Sequence, residues 1–502
     1  MQSTIFIMNR IISLYLFGLL IFVVQGCSSD FLDTKNTNAI DSTTFYSNEK
    51  EAVQAVNSVY AALQRLGLYH RSIFFMLDFS SDEIAPTPNT QTPPTQLLNY
   101  TFDATNEHIV GFWNDNYVAI LRANTVLEQL PNVPDLSASM KNRLEGEARF
   151  IRALCYLNLV SNFGGVPLRK DTETQIARDL AKATSAEVYA QIEEDLKFAE
   201  ANLPRRSQYA ADDLGRATSG AATGLLGKAY VYQQKWADAE AALQRVVSSN
   251  EYALVSADRL QNSFNQLDEN NEESLFEVQF TSNLNGGGGA WAVDENTGWG
   301  GNGEGNFRPK EYGVNGFAFY NAKPSDAIAD AFEPGDPRKQ AFMFGPGSTF
   351  NGAPYDTIFA TSGYAIAKYT DPAPGAGGAP DDSGINIRVL RYADVLLLLA
   401  EAKLRQNKNG EALALINQVR RRADPSGSIL PDRTDESRTE EYLIHERRVE
   451  LCFECQRRVD VARWGLGTTI FGSKFINNKH EVFPIPQNEI DLNGAVTQNA
   501  GY

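Results

Sequence analysis

Residues 217–249 read ATSGAATGLLGKAYVYQQKWADAEAALQRVVSS, and the spacing within them decides the fold class. Leu226, Gly227, Tyr230, Ala239, Leu243 and Val246 fall on the tetratricopeptide pattern, in which small residues let two helices approach and larger ones fill the groove between them. The segment therefore predicts a helical hairpin. The same register returns as Leu399, Ala400, Ala412, Ile416 and Val419, with Ala400 where the repeat prefers Gly and Lys403 where it prefers Tyr. Asn409-Gly410 is the expected turn of this second hairpin, since both residues tolerate positive φ. Apolar residues recur at helical spacing through 48–66, 107–130, 137–162, 185–202, 388–422 and 437–463 as well. The expected fold is mainly α, with tetratricopeptide-like pairs over about 48–249 and 388–465. Trp113, on an apolar helix with Tyr117 and Ile120, is expected in the core.

Between the two helical regions, residues 250–387 predict an irregular, loop-rich half with short strands. Ser274–Phe280 alternates Phe276, Val278 and Phe280 with polar neighbours, which reads as a half-buried strand. Asn283–Asn306 then carries the run Gly286–Gly289, glycines at 298, 300, 301, 303 and 305, and two tryptophans. Loops of such length in a compact domain are usually functional. Aromatic rings on it predict a ligand platform formed by Trp291 and Trp299, with Phe307 and Tyr312 as secondary rings. Ring faces suit carbohydrate C–H surfaces, and each indole adds one N–H donor. The competing expectation is that these rings pack onto the helical body and pin the loop. The polar loop Asp82–Leu97 is expected to bring Asp82, Asn89 and Gln91 to the ligand, against a plainer role for Asp82 in capping backbone N–H groups.

The first 26 residues set the compartment. Arg10 precedes an apolar run, Ile11–Val24, that is shorter than the ~20 residues a membrane span needs, so residues 1–26 read as a signal peptide, with Met8 as an alternative start. Val24-Gln25-Gly26-Cys27 has the shape of a lipobox apart from Gln25, and predicts lipidation of Cys27. Two or three buried acyl chains, at ~0.8 kcal/mol per CH₂, hold a protein on a membrane without a spanning helix. The 502-residue chain has a formal net charge of −17, which weighs against nucleic acid and favours a neutral ligand. Cys452 and Cys455 match CxxC within a segment that reads as helical, but no second cysteine pair completes a zinc site, so they are expected to be packing residues. No metal or cofactor is predicted, although an acidic Gly-rich loop could hold structural calcium. No serine elbow, HExxH, P-loop or Rossmann fingerprint occurs.

From Glu147 the chain reads EARFIRALCYLNLVSNFGGVPL. Further landmarks are SDFLDT (29–34), LFEVQF (275–280), PSDAIADAFEPGDPR (324–338), RYADVLLLLAEA (391–402), HERRVELCFECQRRVDVARWG (445–465), FPIPQNEIDLN (483–493) and the terminal TQNAGY. In this order they resemble the SusD/RagB family of Bacteroidetes outer-membrane lipoproteins over essentially the whole mature chain, 27–502, as a single domain. Four positions depart from the family pattern: Cys455 stands where it usually has Gly, Val461 where it has Leu, and Gly494-Ala495 where Asn-Pro is common. Physically these signatures look architectural, with an expected Glu454–Arg458 pair at i,i+4 and Trp464 in the core.

The resemblance implies a lipid-anchored, outward-facing protein of a Gram-negative outer membrane. It would bind a nutrient, most often a glycan or oligosaccharide, and deliver it to a SusC-like TonB-dependent barrel transporter without catalysing a reaction. The alternatives are a secreted glycan-degrading enzyme, a peptide-binding member of the same family, and a tetratricopeptide scaffold. Glycoside hydrolysis needs two carboxyl groups held ~5–9.5 Å apart across a cleft, and no motif forces such a pair.

Overall fold

The computed structural model describes residues 46–282, 304–370 and 383–502. The hairpin predicted at 217–249 is present as α6 (Ser219–Tyr232) and α7 (Trp236–Ser248). Thr218 caps α6 by accepting a hydrogen bond from the Ala221 N–H, and Gln234 turns the chain at a φ of +59°. Gly227 sets the approach of the two helices, because a Cβ there would lie 2.5 Å from Leu243 Cγ.

The second hairpin pairs α8 (Tyr392–Leu404) with α9 (Asn409–Ala423). Its turn lies one step earlier than the sequence suggests: Asn407 takes the positive φ of +60°, and Asn409-Gly410 open α9. Lys403, where the repeat prefers Tyr, bridges three helices, its Nζ lying 3.0 Å from Glu240 Oε1 and 2.6 Å from Glu411 Oε2.

The helical readings at 48–66, 107–130, 137–162 and 185–202 correspond to α1 (Glu49–Ala62), α3 (Glu107–Gln129), α4 (Ala138–Phe163) and α5 (Ser185–Asn202). From α3 to α9 each helix packs on the next, so the two recognised hairpins belong to one longer stack. The segment between α7 and α8 is the irregular insertion. Trp113 is buried as expected, against Tyr117 and Phe163. Among the helices not foreseen are Thr92–Asn99, within the stretch read as a polar loop, and α2 (Ser72–Phe79), whose eight residues are all buried. A helix apolar on every side carries no periodicity. No described helix is long and apolar enough to cross a membrane, and Asn48–Tyr502 forms one compact unit.

The strand foreseen at 274–280 is β2 (Ser274–Val278), paired antiparallel with β4 (Ile387–Arg391), which the sequence reading had taken mostly as the start of a helix. All of β2 is buried, contrary to its half-buried pattern. Phe276 packs edge-on against Phe150 of α4, while Glu277, read as solvent-facing, accepts from Asn386 Nδ2 at 3.0 Å and lies 3.3 Å from Arg388 Nε. The insertion also has a core of its own, in which Val314, Tyr320, Phe344, Phe350 and Tyr355 cluster.

The sequence signatures meet one another in buried ion pairs. Arg338, from the 324–338 motif, binds Asp336, Glu446 and Glu450, the last two on α10 (Thr439–Glu450). Glu450 also pairs with Arg391 of β4 and Arg422 of α9. Burial alone would raise its pKa, but Arg422, Arg391 and Arg338 hold the carboxyl well below the usual range. Glu454 pairs with Arg391 and Lys368 rather than with Arg458, whose guanidinium donates to the His480 carbonyl. The helix that would have joined 454 to 458 is interrupted: α10 ends at Glu450 and α11 (Arg457–Arg463) begins beyond a turn. In that turn Phe453 and Cys455 both have φ of +61°, so Cys455 occupies a backbone conformation that favours glycine. Cys452 and Cys455 are free thiols in this turn rather than on a helix face. Trp464 is only half-buried, its Nε1 donating to Glu401 Oε1 at 2.8 Å.

Candidate functional site

The polar loop after Asp82 and the chain following the Gly/Trp-rich stretch are brought together by a short sheet. β1 (Ile84–Pro86) pairs antiparallel with β3 (Ala322–Pro324). Beyond it three side chains continue the ladder: Thr87 Oγ1 donates to the Tyr320 carbonyl (2.6 Å), Thr90 Oγ1 to the Asn321 carbonyl (2.7 Å), and Asn89 Nδ2 to the Phe319 carbonyl (2.9 Å). Asn89 and Gln91 are exposed, and Gln91 sits immediately before the helix Thr92–Asn99.

Phe319 is the aromatic side chain presented on this face. It is 42% exposed, with buried Phe307 packed against its ring at 5.9 Å and 71° and Lys310 Nζ 5.4 Å from its centroid. Phe307 in turn stacks on His70, which meets Phe280. Just beyond Phe280, the Thr281 N–H donates to the Glu304 carbonyl at 2.8 Å and ties together the two ends of the 283–303 segment. That segment therefore springs from the foot of the Phe280–His70–Phe307–Phe319 row. Near the same root, a groove of about 500 Å³ is lined in part by Gln54, Ser58, Gln64, Leu214, Gln279 and Glu304.

Trp291, Trp299 and Cys27 lie outside the described residues. Of the remaining expected site residues, Asn89 is exposed and bonded to the Phe319 carbonyl and Gln91 is exposed two positions on, whereas Phe307 and Tyr312 are buried and Asp82 is ion-paired. Phe307 is 1% exposed and supports Phe319 from below. Tyr312, also 1% exposed, is enclosed by Phe74, Phe75 and Phe79, with the Arg308 guanidinium 5.1 Å from its ring. Both are core rings, because the chain from Gly305 to Tyr312 is buried except at Lys310.

Asp82 caps no helix. It accepts from Arg457 Nε (2.7 Å) and Nη2 (3.2 Å) and pairs with Arg448 (2.7 Å), fastening the start of this loop to α10 and α11. Burial pushes its carboxyl up, but Arg457 and Arg448 outweigh that and hold it below the ordinary value. Its neighbour Glu83 is fully buried, and burial together with the nearby Asp78 charge pushes it up to about 8.

Phe319 was missed in the sequence, although a signal exists. In Gly316-Phe317-Ala318-Phe319-Tyr320 the chain turns at Gly316 (φ +83°); Phe317 and Tyr320 then pack into the insertion's core while Phe319 faces out. The site offers one apolar ring face, two carboxamides and backbone carbonyls, a set suited to holding a hydroxyl-rich ligand. Among the described residues, no group of three or more His, Cys, Asp or Glu side chains could hold a metal ion.

Comparison with known proteins gives consistent matches. The profile of the SusD family matches residues 272–482, and one described as starch-binding associating with outer membrane matches residues 30–231. A SusD-like protein of Formosa agariphila is 25% identical across 96% of this chain and 98% of its own. A SusD superfamily structure from Bacteroides vulgatus superposes with a TM-score of 0.79 at 28% identity, covering 91% of this chain and all of that one. A laminarin-binding SusD-like protein superposes with a TM-score of 0.77, again at 28% identity and with the same coverage of both chains.

Proposed function

Because this chain belongs to the SusD/RagB family, we propose that it is a cell-surface glycan-binding lipoprotein, anchored through Cys27 to the outer membrane, that hands oligosaccharide to a SusC-like TonB-dependent barrel. The observation that carries the reading is the placement of exposed Phe319, buttressed by Phe307 and bonded to Asn89, at the root of the segment bearing Trp291 and Trp299. In this reading the rings stack on sugar faces and Asn89 and Gln91 bond sugar hydroxyls. No step of bond cleavage is assigned to any residue.

The relative described as laminarin-binding suggests the first ligands to try. Titration calorimetry of the soluble protein with β-glucan oligosaccharides tests the site. Phe319→Ala, Trp291→Ala and Trp299→Ala are each expected to weaken binding by roughly 1–3 kcal/mol, as loss of a buried anchor does. Unchanged affinity in all three folded variants refutes the site. Accumulation of cleaved product during the titration refutes the binding-only role.

A further inference from the structure

We propose that the groove between the 205–206 segment and the ends of α6 and α7 is a second binding site, one that takes a carboxylated or sulfated oligosaccharide. The saccharide part of this rests on the glycan-binding reading above; the capture of an anion does not. The groove holds about 360 Å³, within the range of small-ligand sites, and is lined by Arg205, Arg206, Arg245, Ser219, Ser248 and Tyr252 among others.

In a chain of net charge −17, three guanidinium groups on one groove run against the overall field. The cations at the heart of the fold are engaged by carboxylates, as Arg338, Arg391 and Arg422 show. Here they are largely not. The Arg205 guanidinium makes no hydrogen bond or ion pair with a described residue, and Arg206 donates only from Nη2, to the Asn270 carbonyl at 2.5 Å. Arg245 is held by Glu200 at 2.9 and 3.1 Å.

One acid, Glu251, lines the groove itself and keeps its charge while accepting from the Ser207 N–H (2.9 Å) and Oγ (2.8 Å), so the three arginines outnumber Glu251 and the Glu200 that holds Arg245. Glu272, farther off, is ion-paired with Arg259 at 2.6 and 3.1 Å. Two consecutive arginines that both line the groove and keep open N–H donors, beside serine hydroxyls, suit the oxygens of a carboxylate or sulfate ester, which Arg binds in bidentate fashion. Tyr252 is buried and offers no ring face, so binding here is ionic rather than stacked.

The test is calorimetry on the soluble full-length mature protein with three probes: tetragalacturonate, a heparin-derived tetrasaccharide and neutral laminaritetraose. Arg205→Ala/Arg206→Ala is expected to weaken one or both anionic probes by about 10-fold or more while leaving the neutral probe unchanged. Raising NaCl from about 0.01 M to about 1 M, which shortens the Debye length from about 30 Å to about 3 Å, should abolish wild-type binding of the anionic probes. Phe319→Ala should leave that binding in place. If neither anionic probe binds at low salt, or if the double variant binds both as wild type does, the second site is wrong. Failure of laminaritetraose alone to bind counts against the Phe319 site and not against this one.

Discussion

Glu83 sits at the base of the loop that begins at Asp82, where its Oε2 accepts from the Phe453 N–H at 3.0 Å and its Oε1 has no partner among the described residues. Its pKa is raised from the ordinary 4.5 to about 8. An acid raised on folding makes the native state hold its proton more tightly than the unfolded chain does. The resulting stability is fully present below about pH 4.5, is lost progressively as pH rises toward 8, and is gone above it. At 1.36 kcal/mol per pH unit, the interval from 4.5 to 8 corresponds to roughly 5 kcal/mol. Relaxation and water entry around the ionised group reduce this to roughly 2–5 kcal/mol.

Glu83→Gln removes the titration while keeping a carbonyl acceptor for Phe453. Its new amide N–H₂ must find acceptors, so near pH 5 the variant should equal wild type or fall below it by about 1 kcal/mol. Near pH 9 it should be the more stable protein by roughly 2–4 kcal/mol. Urea unfolding of both proteins at several values between pH 5 and 9 measures this, and because the readout is their difference, the titrations of groups that do not interact with Glu83 cancel. A difference that stays constant over that range would show that Glu83 does not titrate there, and the account of its burial would fail.

Three further outcomes are expected. Gly227→Ala places a methyl 2.5 Å from Leu243 Cγ and should cost about 1–3 kcal/mol, seen as a lower thermal midpoint; an unchanged midpoint contradicts the close approach of α6 and α7. Asp82→Ala leaves Arg457, 6% exposed, without its carboxylate and should destabilise by roughly 3–5 kcal/mol; if it weakens ligand binding without lowering the midpoint, Asp82 contacts ligand after all. Cys27→Ala, expressed without a barrel partner, should shift the protein from the membrane to the soluble fraction, and retention through salt washes would refute the lipid anchor.

The helical body was legible because its evidence is local. Leu226, Gly227, Tyr230 and Leu243 declare a hairpin by spacing alone, and the order of motifs from Glu147 to Tyr502 pointed to the family that the comparisons support. Errors arose where a residue's role depends on a distant partner. Glu277 looked solvent-facing within its strand, yet Asn386 and Arg388, more than 100 positions away, satisfy it in the interior. The run through 445–465 looked helical throughout, but Asp78 and Glu83 receive the Cys455 and Phe453 N–H groups and hold the chain in a left-handed turn.

The sequence by itself determined the class of local structure and the rough extent of each helix, since a 3.6-residue period and a capping side chain act over a few neighbouring residues. It also set the placement of aromatic rings near a glycine-rich loop. Which of those rings faces solvent was decided only by tertiary structure. Phe307, Tyr312 and Phe319 are equally apolar in sequence; the first two are enclosed by His70 and by Phe74, Phe75 and Phe79, and the third is left on the surface because β1 and β3 pair beside it. Asp82 likewise became an anchor because folding brings Arg457 to it from 375 positions away. Burial and ion pairing are properties of such long-range contacts, and the periodicity of a short segment does not encode them.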